Sequence, residues 1–500
     1  MRTESPASLS PLRSAAVEGW PDRLEELARR RAAATAMGGD ERLARQRAGG
    51  RLDARARVER LCDPGTFVEL GALVGGAGDP AVPADGLVAG HGLVDGRPVL
   101  VGAEDFTVQG GSIGIGTHAK RHRLASLAGQ ERVPLVLLLD GAGERASNAG
   151  QRYPRAPNDL QALVAISGLV PTVAAVLGPS AGHGALSAPL MDHVVMVEGA
   201  SLFSAGPPLV ARATGEQVTP EQLGGVDVHA EVSGVAHDAV PDEGAALARV
   251  RAWLSYLPSN AWLRPPVSSG GDTGARRVEA LYELVPTDNR RPYDVRPVVE
   301  AVVDEGSVLE LSARFGASMV TALARLGGRP VAVVANQPAV RAGAVDRDAA
   351  DKAAHFLDVA AAYHLPVLFL ADNPGVLAGT AAERSGALRA AARLYAAQAR
   401  VRAPKLHVTL RKAYGFGSSV MAMNPFDGQT VTLALPGAEL AAMPSSAGGP
   451  PPVYRTADTM GYDDVVDPAE LRNALLAALR LASARLTGPV EPVASTGVRP

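Results

Sequence analysis

Apolar and polar positions change their period along the chain. Over residues 1–60 the pattern is helical and mostly polar, as in Arg23-Leu-Glu-Glu-Leu-Ala-Arg-Arg-Arg-Ala32. It predicts solvent-facing helix interrupted at Gly38-Gly39. Beyond residue 60, short runs that are apolar throughout alternate with glycine-rich turns and Ala-rich helical stretches. Arg97-Pro-Val-Leu-Val101, Val133-Pro-Leu-Val-Leu-Leu-Leu139 and Thr172-Val-Ala-Ala-Val-Leu177 are such runs. Uninterrupted apolar strands belong to a sheet covered on both faces, so a βαβ-like α/β architecture is expected. The Pro/Ser/Gly stretch Pro265–Gly274 predicts a linker.

The rhythm then starts again. Gly96-Arg-Pro-Val99 recurs as Gly328-Arg-Pro-Val331, an offset of 232. Pro134, before one apolar run, matches Pro366 before another, and Asp140-Gly-Ala-Gly143 matches Asp372-Asn-Pro-Gly375, both at 232. Pro171 matches Pro404, and Gly182-His-Gly184 matches Gly415-Phe-Gly417, at 233. Landmarks in register over so long a stretch predict two copies of one domain, with a period too long for a solenoid. Domains are expected at 61–270 and 271–500, behind a helical segment at 1–60.

Composition narrows the function. Lys+Arg 49 against Asp+Glu 52 leaves a net charge of −3, no footprint for nucleic acid or an anionic membrane. The single cysteine, Cys62, excludes an intramolecular disulfide and any multi-cysteine metal site. Leu160–Met191 carries no Asp, Glu, Lys or Arg and is long enough to span a bilayer, but its Gly and Pro residues argue for a buried soluble segment, not a span. No signal peptide is evident in the N-terminal residues, so a cytoplasmic protein is expected.

In each copy a strand ends in Asp-x-x-Gly, and a second strand ends in Gly-x-Gly before a helical segment. Such loops at strand carboxyl ends are where α/β sheets bind ligands. Glycines there either make tight turns or aim backbone N–H groups at a carbonyl oxygen, forming an oxyanion hole. Their duplication favours the second reading. Gly178-Pro-Ser-Ala-Gly182 also fits a nucleophile elbow, with Asp192 and His193 or Asp227 and His229 as partners. The aligned turn Arg411-Lys-Ala-Tyr-Gly415 has no serine, which counts against a serine hydrolase. No His-Glu-x-x-His or other metal pattern is visible, and no metal is expected. His183 stands in a glycine loop, as a substrate contact or as a backbone donor with its ring in a pocket. Lys120, Arg121 and Arg123 follow Gly110-Gly-Ser-Ile-Gly-Ile-Gly116, a glycine loop and basic helix start that can hold phosphates or form a solvated helix face.

At these residues the chain resembles the carboxyltransferase (β) subunits of biotin-dependent acyl-CoA carboxylases, the propionyl-CoA carboxylase group above all. The marks are Ala54–Leu61 with Asp63–Leu70, Asp105–Ser112, Gly178–Gly182, Leu254–Asn260, Val334–Pro338, Arg411–Gly415 and Asp463–Pro468. The resemblance implies two tandem crotonase-like (ClpP/crotonase spiral) domains and a dimer-based, typically hexameric homo-oligomer. It implies an acyl-CoA on the N-terminal domain and biotin, brought by a biotinylated carboxylase α subunit, on the C-terminal one. Carboxyl transfer to the α-carbon would run through an enolate. Gly143, Gly182, His183 and Gly184 would hold the thioester oxygen, and Gly375, Phe416 and Gly417 the biotin ureido oxygen. Gly110, Gly111, Ser112, Lys120, Arg145 and Ser419 are candidate substrate contacts.

The chain departs from the family pattern in several places. Gly-Gly-Ala becomes Gly182-His183-Gly184, Phe416 replaces a glycine, and Gly-Ala-Arg-Ile-Gln-Glu becomes Gly143-Glu-Arg-Ala-Ser-Asn148. Ser419 replaces a residue tied to acyl preference, and Pro444–Pro452 stands in for a longer helical stretch. Two alternatives follow: a biotin-independent decarboxylase or acyltransferase of malonyl-type thioesters, and a non-catalytic scaffold subunit.

Overall fold

The computed structural model describes residues 19–78, 80–148, 157–441, 452–493 and 498. The helical opening forms as Trp20–Thr35 and Asp40–Ala48, broken at Gly38-Gly39 as the pattern predicts. A third helix, Ala54–Leu61, carries fully buried Arg57 into the first half of the molecule. Its guanidinium meets Asp140 at 2.8 Å and Glu243 at 2.7 and 2.9 Å. A buried cation is tolerated only where it is paired in this way.

Two eight-stranded sheets follow. The first contains β1 (Val68–Glu69), β2 (Leu87–Val94), β3 (Arg97–Glu104), β4 (Leu135–Gly141), β5 (Thr172–Ala181), β6 (His193–Val197), β7 (Ser201–Phe203) and β8 (Asp238–Val240). The second contains β9 (Leu309–Leu311), β10 (Met319–Leu326), β11 (Arg329–Asn336), β12 (Val367–Asn373), β13 (Lys405–Tyr414), β14 (Val431–Ala434), β15 (Glu439–Ala441) and β16 (Asp464–Val465). The order β1-β2-β3-β4-β5-β6-β8, with β7 on β5, repeats as β9-β10-β11-β12-β13-β14-β16, with β15 on β13. In each sheet the first three strands are antiparallel and the rest parallel. The 232-residue offset read in the sequence is thus the offset of β2, β3 and β4 to β10, β11 and β12. The fold is α/β with two tandem crotonase-like units. Pro265–Gly274 contains no helix or strand.

The halves are packed together within the chain. The rings of Trp253, His193, His237 and His355 stack in series, with centroids 5.1, 5.4 and 4.7 Å apart. Tyr363 donates its hydroxyl to Asp192 at 2.7 Å, and the Ser312 amide donates to the His237 carbonyl at 2.6 Å. One core cluster runs through both halves, from Val58 and Val136 to Leu357 and Phe369. Among the described residues, no helix is long and apolar enough to cross a membrane.

Candidate active site

The register of each sheet slips at one place. After Leu139 the pairing of β4 with β5 jumps to Gly141 opposite Ser180, and after Ala371 that of β12 with β13 jumps to Asn373 opposite Ala413. The slip lifts the Asp-x-x-Gly loop out of the sheet, beside the end of the next strand. Asp140 and Asp372 anchor these loops from below. Asp140 is held by Arg57 and Arg51, and Asp372 by Arg411 at 2.7 Å, Lys412 at 3.2 Å and Tyr293 at 2.9 Å.

In the first half, β5 runs into a short helix, Gly182–Leu186. The first amides of a helix have no intrahelical acceptor and sit at its positive end. Gly143 faces this helix start with φ +83°, and a Cβ there would lie 2.7 Å from the Ala181 carbonyl oxygen, so no other residue fits. Gly182 has φ +56°. Among the described residues nothing accepts from the Gly143 or Gly182 amide. Gly184 is the third residue of the helix and buried. The loop and the helix start together can place two N–H donors on one oxygen, the arrangement an oxyanion needs.

The second half repeats the frame with different chemistry. The helix Phe416–Val420 follows β13, and Phe416 is 62% exposed at its first position. Gly417 packs so closely that a Cβ would overlap the Asn373 side chain and lie 2.8 Å from the Gly375 Cα. The Gly375 amide donates to Asn373 Oδ1 at 3.0 Å. Gly375 was expected to supply a donor, and here that donor is already engaged. The reason is local: Asn373 stands where the first copy has Gly141, and its amide group folds under the loop. Ser419 is half-buried in the same helix.

The other candidate contacts are mostly structural. The Ala142 amide donates to the Gly110 carbonyl at 2.9 Å, and Gly111 lets that strand pass against Asp140. Arg145 bonds the Ser112 hydroxyl at 3.2 Å and its carbonyl at 2.8 Å, and pairs with Asp85. Lys120 is neither a phosphate holder nor part of a solvated face. It is buried with its ammonium on the Ala84 carbonyl at 3.1 Å and on the Leu87 carbonyl, and burial lowers its pKa to about 8. Lys352, 232 residues on, does the same on the Ser312 and Phe315 carbonyls at 2.9 and 2.7 Å. Arg121 is also buried, between Glu104 at 3.2 Å and Asp159 at 2.8 Å, while Arg123 is exposed.

The hydrolase alternative does not assemble. Ser180 lies buried within β5, and its hydroxyl has no hydrogen-bond partner among the described residues. Asp192 binds Thr172 and Tyr363, and His193 pairs with Asp238 at 2.9 Å. Asp227 pairs with Arg314, and the His229 ring bonds the Leu202 carbonyl.

A buried polar cluster beside the first loop had no sequence signature. His183 Nε2 lies 2.7 Å from Asp159 Oδ1, and His118 Nδ1 lies 3.1 Å from the same oxygen. His118 Nε2 lies 2.9 Å from Glu144 Oε2. Burial alone would raise the Asp159 pKa, but hydrogen bonds from His118 and His183 and the charge of Arg121 hold it well below the usual carboxylate range. Where the sequence showed no metal pattern, the structure brings one ligand-type atom each of His118, Asp159 and His183 within 4.8 Å of one another.

Comparison with known proteins bears on this architecture. Residues 45–448 match the carboxyl transferase domain family. The chain is 36% identical to the propionyl-CoA carboxylase carboxyltransferase subunit of Haloferax mediterranei, over 92% of this chain and 96% of that one. It is 34% identical to the methylmalonyl-CoA carboxyltransferase 12S subunit of Propionibacterium freudenreichii subsp. shermanii, over 94% and 96%. The transcarboxylase 12S crystal structure, a hexamer assembly with methylmalonyl-coenzyme A and methylmalonic acid bound, superposes with a TM-score of 0.87 at 34% identity, covering 96% of this chain and 100% of that one. The chain therefore belongs to the carboxyl transferase family and is an enzyme of the acyl-CoA carboxyltransferase kind.

Proposed function

We propose that the chain moves a carboxyl group between carboxybiotin, carried by a biotinylated α subunit, and the α-carbon of a short acyl-CoA such as propionyl-CoA. The observation that carries this reading is the repeated pairing of an Asp-x-x-Gly loop with a helix start, once in each sheet. In the first half, residues 61–270, the Gly143 amide and the helix start at Gly182, His183 and Gly184 hold the thioester oxygen as it gains charge. In the second half, residues 271–500, the Phe416 and Gly417 amides and the helix dipole take the corresponding oxygen of the carboxyl donor. Biotin held there would supply the carboxyl group and, once relieved of it, a base for the α-proton; the chain's own residues orient both partners and stabilise charge. A homo-oligomer built from dimers, with the acyl side of one subunit against the biotin side of another, completes the site. Gly110, Gly111, Ser112, Lys120 and Arg145 shape the acyl-side loops, and Ser419 lies on the biotin side.

A second reading, biotin-independent decarboxylation of a malonyl-type thioester, draws on the engaged Gly375 amide and the exposed Phe416 ring. One experiment separates the two. The purified chain is incubated with malonyl-, methylmalonyl- and acetyl-CoA, with and without free biotin, and the products are followed by mass. Turnover that requires biotin is expected; equal loss of CO2 without biotin would overturn the main reading. Gly182→Val is expected to cost about 3 kcal/mol of transition-state stabilisation by displacing one donor. Full activity in that variant would defeat the oxyanion assignment.

A further inference from the structure

A cavity of about 410 Å³ lies between the two halves, and none of Gly143, Gly182, Gly375 and Gly417 lines it. Its buried wall is apolar and comes from both sides. Met191 and Trp253 belong to the first half, and Leu323, Phe356 and Val359 to the second. The volume falls in the range of small-molecule sites, roughly 300–1,000 Å³. Such sites pair an apolar wall with a few polar groups that fix the ligand's orientation.

Two polar groups in the lining have a donor to spare. Lys352 is buried, and its ammonium donates to the Ser312 and Phe315 carbonyls at 2.9 and 2.7 Å. An ammonium carries three N–H groups, so one is left over. His237 Nδ1 accepts from the Val194 amide at 2.9 Å, which puts the ring proton on Nε2. Burial holds this ring neutral, well below its ordinary pKa. Among the described residues nothing accepts from His237 Nε2.

The charges of the lining point to an anion. Asp348 and Asp351 are matched by Arg347 at 2.6 Å and Arg393 at 3.2 Å. Asp192, whose pKa burial raises, already takes the Tyr363 hydroxyl and the Thr172 amide. Lys352, buried, and Arg389, exposed at the opening, have no carboxylate partner among the described residues. Burial lowers the Lys352 pKa to about 7, and an anion at its third N–H favours the charged form. The cost of desolvating an ion rises steeply with its charge, so an apolar space with one buried cation suits a monoanion better than a phosphate dianion.

We propose that this cavity binds an aliphatic monocarboxylate, with its head on Lys352 Nζ and His237 Nε2 and its chain along Trp253 and Phe356. Arg389 draws the ligand to the opening. A molecule held there touches both halves and ties them together, at a site separate from the two glycine loops.

The test uses the full chain and octanoate as the probe. Calorimetric titration is expected to show saturable binding of one molecule per chain. Octan-1-ol has the same body without the charge and should bind about tenfold more weakly or worse, the loss of one charged hydrogen bond. Lys352→Met should weaken octanoate by a similar factor and leave octan-1-ol unchanged. Methylmalonyl-CoA should not displace octanoate. A photoreactive octanoate on the unaltered chain should label the peptides that carry Trp253 or Phe356, which locates the site whether or not the variant folds. Absence of saturable binding would overturn the proposal, and so would equal affinity for octanoate and octan-1-ol. Displacement by methylmalonyl-CoA, or labelling confined to the Gly143 and Gly182 loops, would place the carboxylate in the acyl-side hole and overturn it as well.

Discussion

Lys352 shows how a single buried residue records the duplication. It and Lys120 cap carbonyls at equivalent corners of the two halves, where a residue such as Ser312 has φ +54°. Both belong to the 232 offset and were open to reading there; their burial was not, because periodicity on a helix does not tell an inward lysine from an outward one. Burial pushes the Lys352 pKa down to about 7, from an ordinary 10.5. Between those values the unfolded chain binds more protons than the folded one, so stability rises with pH across that window. Lys352→Met removes this slope. The stability advantage of the wild type over the variant should widen from pH 7 to pH 9 in urea unfolding. Parallel curves would show that Lys352 does not titrate in the window.

Two helix starts with the same backbone path differ in the space they leave. A Cβ on Gly184 would lie 3.3 Å from a Glu104 oxygen, a contact small shifts can relieve. A Cβ on Gly417, its counterpart, would overlap Asn373 and press on Gly375. Gly417→Ala is therefore expected to push the helix Phe416–Val420 off its loop and cost about a hundredfold in biotin-dependent turnover, with thioester binding kept. Gly184→Ala should cost under tenfold. Equal effects in kinetic assays of the two variants would contradict the asymmetry. The glycines that make both elements were legible because each recurs in register. The buried polar cluster was not: Glu104, His118, Arg121, Glu144, Asp159 and His183 come from β3, the long helix Ile115–Glu131, the loop after β4 and the first turns of the short helices Asp159–Ala165 and Gly182–Leu186, and no spacing along the chain predicts their meeting. Gly375 was legible as a loop glycine, but the fate of its amide depended on Asn373 folding inward, a side-chain choice with no periodic signal.

On the scale of the molecule, the seam between the halves buries polar groups beside the shared apolar cluster. Tyr363 supplies a hydroxyl to buried Asp192, whose pKa burial raises despite that bond. Tyr363→Phe leaves the carboxyl short of a donor and should destabilise by about 1–3 kcal/mol. Because one apolar cluster runs through both halves, heat should still unfold them in a single transition. Two separate transitions by calorimetry would mean that the halves are independent. The duplication was readable from landmarks, whereas the seam was not, since its four stacked rings lie between residues 193 and 355 with no shared motif.

The proposed holes are built from peptide groups, and this changes how such an enzyme would be damaged. Truncating side chains one at a time, the usual way to find a catalytic residue, would pass over Gly143 and Gly182, where there is nothing to remove. A mutational survey of this protein should be most informative where it adds atoms. Drift in the surrounding side chains would leave such an apparatus intact as long as the backbone path is kept.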